Sequence, residues 1–176
     1  VIAALVVHAV YKLEHDALQE MLWSCHVASA LIALGILVRA VSLVAVGAVF
    51  QFAMGLPSYV VDWVATGETT ASSVLVHTVP PVVAVLALRR LGAWPRWVPV
   101  ASGLLYVALL ILCRWITRPS LNVNLAFEPW APSAALGPTW SLRALNLVMM
   151  AALLPLIDRA LRAFTRASSA RAGATA

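Results

Sequence analysis

Residues 97–117 read WVPVASGLLYVALLILCRWIT, an apolar run that meets no charge until Arg114. A helix needs about 20 such residues to cross a bilayer's hydrocarbon core. In lipid the backbone must satisfy its own hydrogen bonds, so a run of this length is read as a spanning helix. Working outward, three further runs meet or approach the same length: 20–38, 40–56 and 139–157. A fifth, 73–88, is at the short end, and Val1 to Leu13 reads as the second half of another span whose start is missing. A signal peptide is a poor reading of that opening, because it has no basic lead and no Ala-x-Ala-type cleavage site. The chain is 62% hydrophobic and 11% charged, more apolar surface than a water-soluble domain of this size can cover. The expected fold is all-α: a polytopic membrane helix bundle of about five to six transmembrane helices over residues 1–164. A flexible basic tail follows over 165–176.

The few charges alternate from loop to loop. Glu14, Asp16 and Glu20 precede the first full run, and Arg39 occupies the tight turn after it. Asp62 and Glu68 lie in the segment 57–72, and Arg89, Arg90 and Arg96 fill the next connection. Arg118 and Glu128 belong to 118–138, and Arg159, Arg162, Arg166 and Arg171 to the tail. By the positive-inside rule the Arg39, Arg89–Arg96 and tail segments are cytoplasmic. This predicts a multi-pass protein of the cytoplasmic membrane with its C-terminus inside. The arginine tail is read as a topology signal that meets anionic headgroups, not as a nucleic-acid site.

The outer connections, 57–70 and 119–139, are predicted to be long loops, and long loops in compact proteins tend to be functional. Trp63, Trp115, Trp130 and Trp140 are expected to form an outer aromatic belt, and Trp94 and Trp97 an inner one. Gly35, Gly47, Gly55 and Gly103 read as sites of close helix packing. Pro80-Pro81 removes the N–H groups that the carbonyls of Val76 and His77 would otherwise meet, which predicts a kink. Asp158 reads as a solvated charge at a helix end.

The polar residues inside the runs are the candidate site. Cys25 is expected about five residues into its helix, some 7–8 Å down, and His77 at a similar depth on another helix entered from the same side. A thiol beside an imidazole is the pair that generates a nucleophilic thiolate. Gln51 approaches the same end and would orient the ring or donate to an oxyanion; the competing reading is a helix-packing hydrogen bond. His26 follows Cys25 directly and so points about 100° away, which reads as an interhelical or interfacial hydrogen bonder. His8 and His15 invite a haem or pigment reading, but nothing in the sequence sets two histidines at matched depth on facing helices, and no cofactor is called for. Cys25 and Cys113 fall near the outer helix ends, and their spacing leaves a disulfide open. There is no Cys-x-x-Cys or zinc-type ligand run, and no metal is expected.

An ordered set of short motifs extends this reading. Leu22-Trp23-Ser24-Cys25, Phe50-Gln51 with Pro57, His77, Asn122-Val123-Asn124-Leu125 with Pro129 and Pro132, and Gly137-Pro138-Thr139-Trp140 together resemble the YwaF-type bacterial membrane protein family. That family is similar to an animal membrane protein proposed to move acyl chains between phospholipids. Trp23-Ser24 stands where the family has a proline-containing approach to the cysteine, Val123-Asn124 where Asn-Tyr is usual, and the proline after Trp140 is absent. The resemblance implies Cys25 as acyl-accepting nucleophile, His77 as its base, and Asn122 or Asn124 as substrate-binding loop residues beside Gln51. Two functions are therefore carried forward. One is a lipid acyltransferase or thiol lipase whose partners are membrane lipids. The other is a non-catalytic small subunit of a larger membrane complex, holding lipid, carotenoid or porphyrin. A transporter fits less well, because no intramembrane carboxylate and no inverted repeat is visible.

Overall fold

The computed structural model describes residues 1–67, 69–128 and 138–174. Among them the fold is all-α, with no strand. The helices are α1 (Ile2–Glu14), α2 (Ser24–Leu37), α3 (Val41–Thr66), α4 (Ala71–Leu91), α5 (Val98–Ile116) and α6 (Thr139–Ala174). Four segments are long and apolar enough to cross a membrane: Val41–Thr66, Ala71–Leu91, Val98–Ile116 and Trp140–Arg166. The chain thus has the makings of a multi-pass membrane protein. Ser24–Leu37 is apolar but shorter.

Local chemistry sets the helix ends. Thr70 caps α4 by accepting a hydrogen bond from the Ser73 N–H at 3.2 Å, satisfying a donor that the first turn leaves free. Gly67, in the left-handed region at φ 71°, ends α3, where a side chain would be strained. Pro99 sits at the start of α5, where its missing N–H costs nothing. Between α2 and α3 the chain reverses through Val38-Arg39-Ala40, with the Ala40 N–H donating to the Gly35 carbonyl at 2.8 Å. The resulting hairpin is close-packed. A Cβ on Gly35 would lie 2.7 Å from the Val44 backbone nitrogen, and one on Gly47 would lie 2.6 Å from the Ala28 carbonyl oxygen. Gly103, by contrast, would meet only an ordinary contact with Leu154, so it does not share that role. Ile32, Val44, Val49, Phe50, Leu88 and Val98 form the centre of the core.

Several expectations are corrected. The segment 57–72 is not a long loop: Leu56–Thr66 is helical and continues α3. Its passage through Pro57 is made by a π-helical turn over Gln51–Gly55, which loosens the i to i−4 ladder just where proline has no N–H to offer. Helix α2 begins at Ser24, after a 3-10 turn at Leu18–Leu22, so Cys25 lies in its first turn instead of 7–8 Å down. The kink expected at Pro80-Pro81 falls inside α4, which is helical on both sides of it, from Ala71 to Leu91. Trp94 is no belt residue and Asp158 no solvated charge, since they are 5% and 6% exposed. The Trp94 indole N–H donates to Asp158 Oδ1 at 2.7 Å, and Arg162 Nε donates to Asp158 Oδ2 at 2.7 Å. Arg162 also donates to the Trp94 and Pro95 carbonyls, pinning the α4–α5 turn to α6. Trp63, Trp97, Trp115 and Trp140 are exposed, as belt residues must be. Glu68, Pro129, Trp130, Pro132 and Gly137 lie outside the described residues. The helical backbone of α6 runs on through Ala174, into the segment read as a tail.

Candidate functional site

The first turn of α2 and the second turn of α4 meet at one end of the bundle. The α2 start is fixed by a side chain a hundred residues away. Asn124 Oδ1 accepts from the Ser24 backbone N–H at 2.7 Å, and Asn124 Nδ2 donates to the Leu22 carbonyl at 2.8 Å and to Cys113 Sγ at 3.2 Å. Asn124 thereby does the capping work that Trp23, at the N-cap position, cannot. It stands at positive φ, as do Asn122 and Leu125, in a loop of two 3-10 turns. Asn122 Oδ1 accepts from the Phe127 and Glu128 backbone N–H groups, both at 3.0 Å. The described bonds of both asparagines, expected as substrate contacts, thus serve to shape the loop and anchor α2.

The expected pair is brought together, with a third member. Cys25 Sγ and one ring nitrogen each of His26 and His77 all lie within 4.8 Å of one another, and all three residues are buried. The adjacency of His26 and Cys25 does not separate them. In the first turn of a helix the longer imidazole reaches back over the preceding residues, and its Nδ1 bonds the Glu20 carbonyl at 2.9 Å. His77 Nδ1 bonds the Ser73 carbonyl at 2.8 Å. A carbonyl only accepts, so each Nδ1 carries a proton, and in the neutral form of each ring Nε2 is the acceptor. His26 Nε2 is buried and has no partner.

Further rings extend the cluster. Tyr59 of α3 stacks on His77 with centroids 4.1 Å apart and planes at 7°. His26 lies 5.9 Å from His77 and 4.7 Å from His8 of α1, centroid to centroid. His8 Nδ1 is 3.1 Å from Ser72 Oγ. Histidines at matched depth on facing helices, absent from the sequence reading, are therefore present as His26 and His77. His15 stands apart, bonded to the Tyr11 carbonyl.

Gln51 belongs to the same region. It is fully buried in the π-helical turn, and neither side-chain polar atom has a hydrogen-bond partner. A Cβ at Gly55 would lie 2.6 Å from Gln51 Oε1 and 3.0 Å from Cys25 Cβ, so the amide and Cys25 border the same gap that the glycine leaves. A buried amide without partners forgoes roughly 1–3 kcal/mol, an arrangement that native proteins keep for a reason. Both cysteines are free thiols.

No family model, curated protein or solved structure matches this chain. Its chemistry must be read from its own residues. The sequence pointed to Cys25, His77 and Gln51 through their polarity within apolar runs. His26 was missed as a member of the cluster, although a histidine beside a cysteine at a helix start is a visible signal.

Proposed function

We propose that the protein is a membrane-embedded lipid acyltransferase or thiol lipase with Cys25 as nucleophile and His77 as base. The observation that carries this reading is the buried meeting of one thiol with two imidazoles, beside an amide that bonds to nothing. The resemblance of the ordered motifs to the YwaF-type family supports the same assignment. In this mechanism His77 Nε2 takes the thiol proton, and the sulfur attacks the carbonyl carbon of a lipid ester. Gln51 Nε2 donates to the oxyanion that forms. Collapse breaks the ester C–O bond, and the departing alkoxide takes the proton from the imidazolium. A thioester on Cys25 remains. A second lipid hydroxyl, or water, then gives its proton to His77 and attacks the thioester, restoring the thiol. Acyl chains reach such a site sideways from the bilayer.

The arginine distribution supports an orientation in the cytoplasmic membrane with Arg39, Arg89–Arg96 and the C-terminal segment inside. The Cys25 end then faces outward. The reading as a subunit of a larger complex, holding lipid, carotenoid or porphyrin, draws on one observation. Only 11% of the apolar stretch in Trp140–Arg166 is buried, leaving most of that helix's surface to lipid or another chain.

Acyl exchange by the detergent-purified protein, supplied with its own membrane lipids, is the test. His77→Ala is expected to lower turnover about 10²–10⁴-fold, and Cys25→Ser to abolish it, since serine needs a stronger base. The double variant should be hardly worse than either single one, because members of one catalytic unit are not additive. Full activity in Cys25→Ser, or none in the parent together with co-purifying subunits, would replace the enzyme by the complex subunit.

A further inference from the structure

We infer that Cys25, His26 and His77 form a binding site for a single transition-metal ion of the zinc class, which while bound occupies the sulfur and the His77 ring nitrogen that the acyl-transfer reading uses. Among the described residues they are the one group of three His, Cys, Asp or Glu side chains close enough to share an ion. The donor set is a thiolate and two imidazoles without a carboxylate, which selects zinc or copper over magnesium or calcium.

Three features go beyond proximity. The first is the state of the rings. Metal-binding histidines nearly always give their second ring N–H to a carbonyl or carboxylate, which fixes the tautomer and aims the free nitrogen. His26 and His77 each do this, through the Glu20 and Ser73 carbonyls. The second is the orphaned polarity: His26 Nε2 and both polar atoms of Gln51 are buried without partners. An ion bound by His26 Nε2 would leave its fourth position to the Gln51 oxygen or to water. The third is rigidity. The Cys25–His26 turn is tied by Asn124 to the loop after α5, and Glu20 is paired with Lys12 of α1. His77 is backed by the Tyr59 ring.

With Zn–S of about 2.3 Å and Zn–N of about 2.0–2.1 Å, tetrahedral ligand atoms stand roughly 3.5 Å apart. Three atoms within 4.8 Å of one another need to draw in by about 1.3 Å at most. With both imidazoles neutral, only the thiol must lose a proton. Binding releases that one proton to the buffer, and the sulfur's charge then resides on the metal bond.

The experiment uses the full chain in detergent, stripped with a chelator and titrated with cobalt(II) as a spectroscopic substitute for zinc. One equivalent should give a thiolate-to-cobalt charge-transfer band and the intense visible bands of a four-coordinate ion. Zinc should bleach both, and in weak buffer each zinc bound should release one proton. Cys25→Ser should lose the charge-transfer band. His26→Ala and His77→Ala should weaken binding at least about tenfold, with His77→Gln as a milder second variant should alanine unfold the chain. His15→Ala should bind as the parent does. Size-exclusion profile and helical circular dichroism of the metal-free variants establish that they are folded. A folded parent with no charge-transfer band, or a band that survives in Cys25→Ser, overturns the site. Cobalt binding in a parent that shows no acyl exchange would defeat the acyltransferase and leave the metal site standing; exchange without binding would do the reverse.

Discussion

Asn124 shows how much of this site depends on one residue of a distant loop. One carboxamide meets the Ser24 N–H, the Leu22 carbonyl and the Cys113 sulfur. Removing an N-terminal cap costs about 0.5–2 kcal/mol, and Asn124→Ala also strands the part-buried Leu22 carbonyl, so a loss of about 1–3 kcal/mol is expected in detergent unfolding. An unchanged midpoint would mean that water replaces the carboxamide. The thiols give a second readout. Cys25 is 8% exposed and Cys113 is fully buried, so a small thiol reagent should modify Cys25 first in a timed mass-spectrometric assay. Asn124→Ala should then speed Cys113 in particular, and equal rates in the parent would contradict this packing. At this scale the sequence showed which residues were out of place in apolar runs. It did not show their partners, since Asn124 and Ser24 meet only through the folded chain. His26 was misjudged on an ideal helical wheel, which ignores how far an imaginary straight projection differs from an imidazole curling back to Glu20.

At the level of elements, the apolar runs marked the helices and the proline misled. Pro57 was read as the start of a loop, yet α3 passes it and continues to Thr66. Its hydroxyls bond one turn back, Ser58 to the Met54 carbonyl and Thr66 to the Asp62 carbonyl, so neither is left unpaired. The π-helical turn that makes the passage also holds Gln51 and Gly55, and π turns frequently mark functional sites. Gly55→Ala tests the coupling. The added methyl meets the end of the Gln51 side chain at 2.6 Å and Cys25 Cβ at 3.0 Å. The amide must move, with a stability cost of about 1–3 kcal/mol. If Gln51 is the oxyanion donor we propose, acyl exchange should fall by about 10²–10³-fold. Unaltered exchange in a folded Gly55→Ala protein would remove Gln51 from the mechanism.

Across the whole molecule the bundle has two chemically different ends. One holds the thiol and the imidazoles; the other holds Asp158 clasped by Trp94 and Arg162. A buried ion pair stripped of one partner costs about 3 kcal/mol or more, so Asp158→Ala should lower the unfolding midpoint markedly while leaving a chelator-stripped protein able to take up cobalt. Loss of both properties together would show that the two ends are not separable. The arginine pattern predicts that reporters fused after Arg90 and after Gly67 report opposite sides of the membrane; a common side would sink the topology. Charge alternation could be counted from the sequence, whereas the Asp158 clasp joins residues 64 positions apart and leaves no local trace.

The rings of His8, His26, His77 and Tyr59 come one each from α1, α2, α4 and α3, with successive centroids 4.7, 5.9 and 4.1 Å apart. Each ring sits in the magnetic shadow of its neighbour, so the histidine carbon-bound protons act as a four-helix ruler. Sliding any one helix by a turn, about 5.4 Å, would carry its ring out of that shadow. The histidine resonances of the detergent-solubilised protein can therefore register a rearrangement of the bundle without a label being added anywhere.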